Sequence, residues 1–391
     1  MTSPSPPTAG AAPNSPASPT QPSVAPLRRL RLARFRSLAP TDWRPAAGWN
    51  LIHGPNGSGK SSLLEAIYLT ATGKSFRTPT LSECTARGEP GFLLQAEVER
   101  EGIWDLACAY SAEGRRLSLQ DKPSAIAEHL ALLPVVTWTE TERELVAGPS
   151  AVRRRFLDRA ALLLRPTRLT EHAELHHTMA QKRHLLAARG RSSRDPREFD
   201  SELAAWNDLL APLIARRAAE RAEVATRLES AAGELLARSG SDLAPPRLVY
   251  LPSPIKALDG AAAVAEDLAE HMKSERERAQ PLVGPQRDRI EILLDDSHPA
   301  PARRSPSAGE RKVLVLALLA GLAELLAAAG RPPLVLLDDL DAELDRERLA
   351  LATRLFSASP QTLATSSRPE AFEGLPQGAR WGLAKGVLSA V

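Results

Sequence analysis

The segment WNLIHGPNGSGKSSLLEAIYLTATG, residues 49–73, contains the motif that decides the fold. Its residues 54–61 match the pattern G-x-x-x-x-G-K-[ST], a phosphate-binding loop between a strand and a helix. The apolar residues before Gly54 predict that strand, and the residues from Lys60 onward predict a helix that ends at Gly73. Glycines let the loop curl until successive backbone N–H groups point inward, toward an anion at the helix N-terminus.

This loop predicts a binding site for ATP or GTP together with Mg²⁺. Lys60 would reach the outer phosphates, and the Ser61 hydroxyl would bind Mg²⁺. The alternative is a glycine-rich turn followed by a surface lysine, which the flanking strand and helix disfavour. The predicted nucleotide contacts in and beside the loop are Gly54, Pro55, Asn56, Gly57, Ser58, Gly59, Lys60, Ser61 and Ser62.

A second motif, PPLVLLDDLDAELD, provides carboxylates for the metal. Four apolar residues, 334–337, predict a buried strand that is followed by Asp338 and Asp339. Two adjacent carboxylates at such a strand end repel each other unless cations or waters satisfy them. We interpret Asp338 as the Mg²⁺ ligand and Asp339, on the other side of the strand, as the residue that orients or deprotonates the attacking water. The alternative is an exposed acidic loop.

A third motif, SAGE, begins a strongly apolar helix. Ser307 and Gly309 form a small turn whose backbone N–H groups and helix dipole favour a phosphate. Because one chain needs a single cradle for the γ-phosphate, a second cradle indicates use on a partner's nucleotide. The alternative is an ordinary helix N-cap, since Ser307 followed by Glu310 is also a capping box.

Length and composition restrict the remaining choices. A chain of 391 residues exceeds the size at which a single core stops growing, so we expect two lobes. With 43% hydrophobic and 25% charged residues it has the composition of an ordinary globular protein, and a pI near 9.0 permits nucleic-acid binding. Cys84 and Cys108 lack metal or disulfide spacing, which favours a reducing cytoplasm. No apolar run predicts a membrane span.

The chain is predicted to divide into four parts. Residues 1–26 lack the apolar region of a secretory signal and predict a disordered tail. Residues 27–150 contain the P-loop and three alternating runs typical of an antiparallel meander. Residues 151–245 favour long helices, interrupted at 189–200 by a mobile loop. Residues 246–391 alternate between helix and strand, which indicates a parallel sheet.

Together these motifs resemble the RecF family, ATP-binding-cassette ATPases related to the heads of structural-maintenance-of-chromosomes proteins. The resemblance covers nearly everything after the tail. It implies an α/β fold: a P-loop ATPase head, with a mixed sheet and an antiparallel subdomain, and an inserted helical lobe. The further matching segments are FRS at Arg36, GKSFR at 73–77, GPSAVRRRFLD at 148–158 and LVGPQRDRIEI at 282–292.

The resemblance also implies roles for particular residues. Ser307, Gly309 and Glu310 would form the signature motif that faces the partner's ATP. Residues 342–345 would form the D-loop at the same interface. Arg36 would contact a nucleotide phosphate.

By the same resemblance, the chain would be an ATP-dependent DNA-binding protein of recombinational repair and replication-fork maintenance, including the SOS response to DNA damage. ATP would drive homodimer formation on duplex DNA or single/double-strand junctions. Slow DNA-dependent hydrolysis would act as a switch that helps to load recombinase at gaps. RecO and RecR are the implied partners, with RecA acting downstream in the cytoplasm.

Three departures from the family pattern favour slow hydrolysis. Gln286 replaces a usual histidine, and Glu310 replaces a usual glutamine. The segment LATSSRP after the last core strand lacks the histidine of transport-type cassettes. Two other classes of protein fit these motifs less well: a metabolic P-loop kinase would have no use for the signature and D-loop, and a transporter subunit would need a coupling surface.

Clustered arginines predict the DNA-binding surface. The segments RRRFLDRAALLLRPTRL (153–169) and QKRHLLAARGRSSR (181–194) provide cations for contacts with the phosphate backbone. The alternative is a solvated helix face without a ligand.

Overall fold

The protein is described here by a computed structural model that covers residues 26–188, 195–294, 307–374 and 378–391. The predicted tail, 1–26, lies outside these ranges apart from its last residue. The predicted loop at 189–200 also lies partly outside them, and its described end from Pro196 onward begins a helix instead.

Strands and helices alternate along the described ranges. The strands are β1 (Leu27–Ala33), β2 (Thr41–Trp43), β3 (Gly48–His53), β4 (Phe92–Glu99), β5 (Ile103–Ser111), β6 (Gly114–Leu119), β7 (Lys122–Pro123), β8 (Val135–Trp138), β9 (Pro246–Leu251), β10 (Arg289–Leu294), β11 (Leu334–Leu337), β12 (Gln361–Ser366), β13 (Ala379–Ala384) and β14 (Val387–Ala390). The helices are α1 (Lys60–Thr72), α2 (Ile126–Leu132), α3 (Glu140–Arg143), α4 (Ser150–Leu164), α5 (Leu169–Ala188), α6 (Pro196–Arg238), α7 (Ala261–Arg278), α8 (Ala308–Ala328), α9 (Leu340–Glu343) and α10 (Arg346–Leu355).

Two six-stranded sheets enclose the P-loop helix. The first has the order β2-β1-β4-β5-β6-β7 and is antiparallel throughout, so the predicted meander is confirmed. The second has the order β14-β13-β3-β12-β11-β8, and all its pairings except β13 with β14 are parallel. Leu63, Leu64 and Ile67 of α1 share one core with Leu94 of the first sheet and Leu336 of the second. This packing fixes α1, and therefore the loop before it, between the sheets.

The helical region is organised around α6, which is 43 residues long. Its C-terminal half shares a core with α4 and α8, whereas its N-terminal half packs with α5 and α7. The helical packing thus continues past residue 245, where the sequence predicted a return to the ATPase lobe. Although α8 is apolar on all sides, no helix in the described ranges is long and apolar enough to cross a membrane.

A buried ionic cluster joins α6 to both flanking segments. The Arg221 guanidinium donates to both Asp158 carboxylate oxygens at 2.8 Å and to Asp288 Oδ2 at 2.5 Å. Asp288 also accepts from the Tyr250 hydroxyl at 2.6 Å and from the Ser253 N–H at 2.8 Å. Burial raises the pKa of Asp288 above its ordinary value despite these donors. The two segments at 148–158 and 282–292 therefore meet at one arginine.

Replacing Arg221 with alanine should destabilise the fold strongly. The change leaves Asp288, which is 2% exposed, without its cation, and breaking a buried pair in this way costs about 3–5 kcal/mol. Arg227→Ala is the matched control on the same helix: its half-exposed pair with Glu223 is worth less than about 1 kcal/mol. Urea unfolding of both variants measures the difference. Equal losses in the free energy of unfolding for the two variants would show that the Arg221 cluster stabilises the fold no more than a surface ion pair does.

Candidate nucleotide site

The P-loop lies between β3 and α1, as the motif predicts. Gly57 and Gly59 have φ values of 78° and 109°, which residues other than glycine adopt only with strain. At Gly54 a Cβ would collide with the carbonyl oxygen of Leu383 in β13. Glycine is therefore required by backbone angle at two positions and by close packing at the third.

Lys60 is folded over its own loop. Its ammonium donates to the carbonyl oxygens of Gly54 at 2.8 Å and Pro55 at 3.1 Å, and the residue is only 7% exposed. A triphosphate would offer this ammonium charged acceptors in place of two neutral carbonyls, and charge-assisted hydrogen bonds are about twice as strong. The lysine is therefore already placed where an outer phosphate would be bound.

Asp338 is joined directly to the P-loop helix. Its Oδ1 accepts from the Ser61 hydroxyl at 3.0 Å and from the Thr365 hydroxyl at 2.8 Å. Burial raises the pKa of Asp338, so a nearby cation would relieve the cost of its charge. A serine hydroxyl and a carboxylate are oxygen ligands of the kind Mg²⁺ prefers alongside phosphates and water. The described residues include no cluster of three or more His, Cys, Asp or Glu side chains that could hold a metal ion.

Asp339 lies in the same cleft as Asp338. Strand β11 ends at Leu337, and Asp339 has a φ of 53° that turns the chain at this point. Its N–H donates to the Thr365 hydroxyl at 2.7 Å. The predicted position on the other side of the strand is therefore wrong, because the strand does not continue through the two aspartates. Both aspartates line the same cleft, and this position suits the role assigned to Asp339 in orienting or deprotonating the attacking water.

This cleft has a volume of about 580 Å³, and its lining contains side chains of both charges, including Glu140 and Glu144. Ser61, Asp338 and Asp339 line it together with three arginines, which the sequence motifs did not identify as site residues. Such an arrangement suits an anion accompanied by a metal cation. Two of them lie in segments that the sequence analysis singled out for other reasons, the first in GKSFR and the last in GPSAVRRRFLD. The three are Arg77, Arg143 and Arg155.

Arg36 is placed on a carboxylate of the P-loop helix. Its Nε and Nη2 donate to Glu65 at 3.0 and 2.7 Å, and its Nη1 donates to the Glu83 carbonyl at 2.7 Å. The side chain would have to leave a fully buried partner to reach a phosphate. These contacts do not support the inferred phosphate contact of Arg36.

The SAGE turn forms a complete capping box within one chain. The Ser307 N–H donates to Glu310 at 2.7 Å, and the Glu310 N–H donates to the Ser307 hydroxyl at 3.4 Å. Ser307 is nevertheless exposed, and none of the three signature residues lines the cleft beside Asp338. A Cβ at Gly309 would collide with the Arg348 guanidinium, which pairs with Asp345. The signature turn and the D-loop are thus adjacent, and both lie apart from the nucleotide cleft of their own chain.

Two arginines of the predicted DNA surface are used inside the fold. Arg153 donates to the carbonyl oxygens of Gly148 at 2.7 Å and Ile290 at 2.5 Å. Arg154 donates to the Asp288 carbonyl at 2.8 Å. These bonds to backbone carbonyls give both guanidiniums a role within the fold, and they do not support the prediction that the two side chains face DNA. Three further arginines of that prediction, at 189, 191 and 194, lie outside the described residues.

The Gln286 side chain binds within its own turn. Its amide donates to the Val283 carbonyl at 3.1 Å. This contact gives Gln286 a local structural role. It does not support a role in proton transfer at the position where the family pattern has a histidine.

Comparison with known proteins identifies relatives over almost the whole chain. A family model described as an AAA domain matches residues 29–103. The DNA replication and repair protein RecF of Geobacter sulfurreducens is 30% identical over 378 residues, covering 93% of this chain and 100% of the relative. RecF of an Anaeromyxobacter species is 34% identical over 352 residues, covering 88% and 92%.

Solved structures show the same fold. A structure of the recombination mediator protein RecF with ATPrS, in the RecFOR pathway, has a TM-score of 0.81 and 23% identity, and covers 93% of this chain and 98% of that chain. An Smc head bound to the C-winged helix domain of ScpA has a TM-score of 0.55 and 14% identity, with 94% and 97% covered. The predicted ATP-binding-cassette head with an added helical region is therefore confirmed as the fold.

Proposed function

The chain belongs to the RecF family of DNA replication and repair proteins, and we propose that it is an ATP-switched, DNA-binding protein of recombinational repair and fork maintenance. One observation carries this proposal most strongly. The hydroxyl of Ser61 and the carboxylate of Asp338 are already hydrogen-bonded at one end of a cleft with three arginines. The exposed Ser307 turn lies elsewhere on the chain, where a second protomer can use it.

ATP would occupy the cleft with its outer phosphates at Lys60. Ser61 and Asp338 would hold Mg²⁺, which neutralises phosphate charge when bound. The three arginines of the cleft would add positive charge that stabilises the negative charge developing during hydrolysis. The P-loop backbone would supply N–H donors to the phosphates.

Asp339 is the proposed group that orients or deprotonates the attacking water. Its N–H bond to Thr365 fixes the backbone, and the same hydroxyl binds Asp338, so one threonine aligns both acids. Gln286 is held in its own turn and the segment after β12 has no histidine, so neither position would supply a base in place of Asp339. Slow, DNA-dependent hydrolysis at this site would suit a switch.

Replacing Asp339 with asparagine should slow hydrolysis while leaving ATP binding nearly intact. Loss of a general base reduces the rate by about 100-fold or more. Single-turnover hydrolysis and equilibrium ATP titration measure the two effects separately. Glu144→Gln is the matched control, since Glu144 lines the same cleft and has no assigned role. Wild-type turnover by the Asp339 variant would remove this assignment.

ATP would also complete the homodimer. The signature residues Ser307, Gly309 and Glu310 would face the partner's γ-phosphate, with the D-loop, 342–345, beside them. Such a dimer would form on duplex DNA or single/double-strand junctions, and RecO and RecR would be its partners upstream of RecA. A cytoplasmic location follows from these partners.

DNA binding should be independent of sequence and steeply sensitive to salt. Removing one cation that binds a DNA phosphate should reduce the slope of log K against log salt by about 0.9. Arg183→Ala, at an exposed position of α5, should therefore reduce the slope by this amount. Arg153→Ala should instead destabilise the fold, because Arg153 binds internal carbonyls. Fluorescence anisotropy across a salt series tests both, and a flat response would contradict DNA binding through the phosphates.

A further inference from the structure

A buried carboxylate lies beneath the nucleotide cleft and has no part in the function proposed above. Glu65 is fully buried in α1, four residues after Ser61 and so on the same face of the helix. Its carboxylate contacts both arginine-bearing segments beside the P-loop. These are the segment at Arg36 and the segment GKSFR at 73–77.

The two arginines on Glu65 are held differently. Arg36 makes two hydrogen bonds to the carboxylate and is 19% exposed at its side chain. Arg77 lies 3.6 Å from Glu65 Oε2, beyond hydrogen-bonding distance, donates one long hydrogen bond to the Ser62 hydroxyl at 3.4 Å, and is 46% exposed. A single carboxylate cannot neutralise two guanidiniums, and Arg36 has the better geometry. Arg77 therefore keeps most of its attraction for another anion, and it already lines the cleft with Ser61 and Asp338.

A second connection fixes the backbone beneath Arg77. The Ser75 hydroxyl donates to Glu65 Oε1 at 2.5 Å and accepts from the N–H groups of Arg77 and Thr78 at 2.9 and 3.0 Å. The Cys84 thiol also lies 3.6 Å from Glu65 Oε1, and burial together with this carboxylate raises its pKa to about 11. Glu65 thus anchors the main chain of the loop through Ser75 while leaving the Arg77 side chain loosely held.

We propose that Glu65 is a positioning residue that anchors the loop of Arg77 to the P-loop helix, so that the Arg77 guanidinium can pass from Glu65 to a bound triphosphate. The proposal rests on the function proposed above, because it requires nucleotide in the cleft. Arg77 is the group that would touch the phosphates. Glu65 acts through it, and Arg36 stays hydrogen-bonded to Glu65 when Arg77 moves.

A double-mutant cycle on ATP affinity tests this role. Arg77→Ala should weaken ATP binding by about 10-fold, the value of one charge-assisted hydrogen bond, and should change ADP binding by less than about twofold. Glu65→Gln and Ser75→Ala should each weaken ATP binding. Neither should weaken it further in the Arg77→Ala background. Effects that multiply in the double variants would overturn the proposal.

A matched control separates positioning from stability. Glu275→Gln changes a carboxylate that is equally buried, in the pair with Lys182 in the helical region. It should lower the thermal midpoint without changing the ATP dissociation constant. If Glu65→Gln does not fold, the cycle of Ser75→Ala with Arg77→Ala decides the question, because Ser75→Ala leaves the buried ion pair intact.

The same titrations distinguish a failure of the proposed nucleotide site from a failure of the positioning role of Glu65. If wild-type protein and Lys60→Ala bind ATP equally weakly, the proposed nucleotide site fails, and the positioning role fails with it. If wild-type protein binds ATP through Lys60 but Glu65→Gln has its full effect without Arg77, only the positioning role fails.

Discussion

Lys60→Ala should abolish ATP binding at concentrations that saturate the wild-type protein. The ammonium lies on the P-loop with hydrogen bonds to two of its carbonyls, and a triphosphate would replace these with charged oxygens. Two charge-assisted bonds correspond to an affinity loss of about 100-fold or more. Equilibrium titration with fluorescent ATP measures it directly.

Lys74→Ala provides the control for this result. Lys74 is exposed just after the C-terminal end of α1, and its replacement removes the same charge at the opposite end of the helix from the P-loop. The variant should keep the dissociation constant within about twofold of wild type, because exposed charges are screened by salt. Unchanged affinity in Lys60→Ala would show that the loop holds no triphosphate.

Ser307→Arg should prevent ATP-dependent dimerisation while leaving ATP binding by each protomer intact. Ser307 is exposed at the start of α8 and is absent from its own chain's cleft, so a bulky cation there affects only a partner's approach. Loss of the cap should cost the helix only about 1 kcal/mol. Size-exclusion chromatography with light scattering, in the presence of ATP, measures the association.

Ser307→Asp separates the two interpretations of this turn. Aspartate is as good an N-cap as serine, so the capping-box interpretation predicts a stable protein that dimerises normally. The two-chain site predicts a stable protein that fails to dimerise with ATP, because the new carboxylate would face the partner's phosphate and repel it.

Mixing Ser307→Arg with Lys60→Ala should restore one composite site, formed by Lys60 of the first protein and Ser307 of the second. Normal dimerisation by Ser307→Asp would show that the turn is only a helix cap and takes no part in a two-chain site.

The P-loop and its aspartate could be predicted because their function is encoded locally. Gly57 and Gly59 are required by backbone angles, and Ser61 follows at a fixed spacing on the helix. Asp338 follows a fully buried strand whose four apolar residues are evident in the sequence. Each of these signals needs only a few neighbouring residues.

The rest of the cleft depends on contacts that no local pattern contains. Arg143 and Arg155 line it from segments that precede the metal-side aspartates by almost 200 residues. A run of three arginines predicts an exposed cationic face, yet Arg153 and Arg154 bind carbonyls that only folding brings near. Strands β13 and β14 also escaped prediction, although Leu383 of β13 packs on the P-loop. Sequence patterns identify residue types and elements, and long-range packing decides which of them meet.

The central claim is that ATP completes a site shared by two chains. Sedimentation equilibrium of the wild-type protein, alone and with ATP, a slowly hydrolysed ATP analogue or ADP, tests it most directly, with duplex DNA added in parallel. We expect monomers without nucleotide and with ADP, and dimers with ATP or its analogue, because only the γ-phosphate reaches the partner's Ser307 turn. Dimers of equal stability in every condition, or monomers at saturating ATP with DNA, would contradict it.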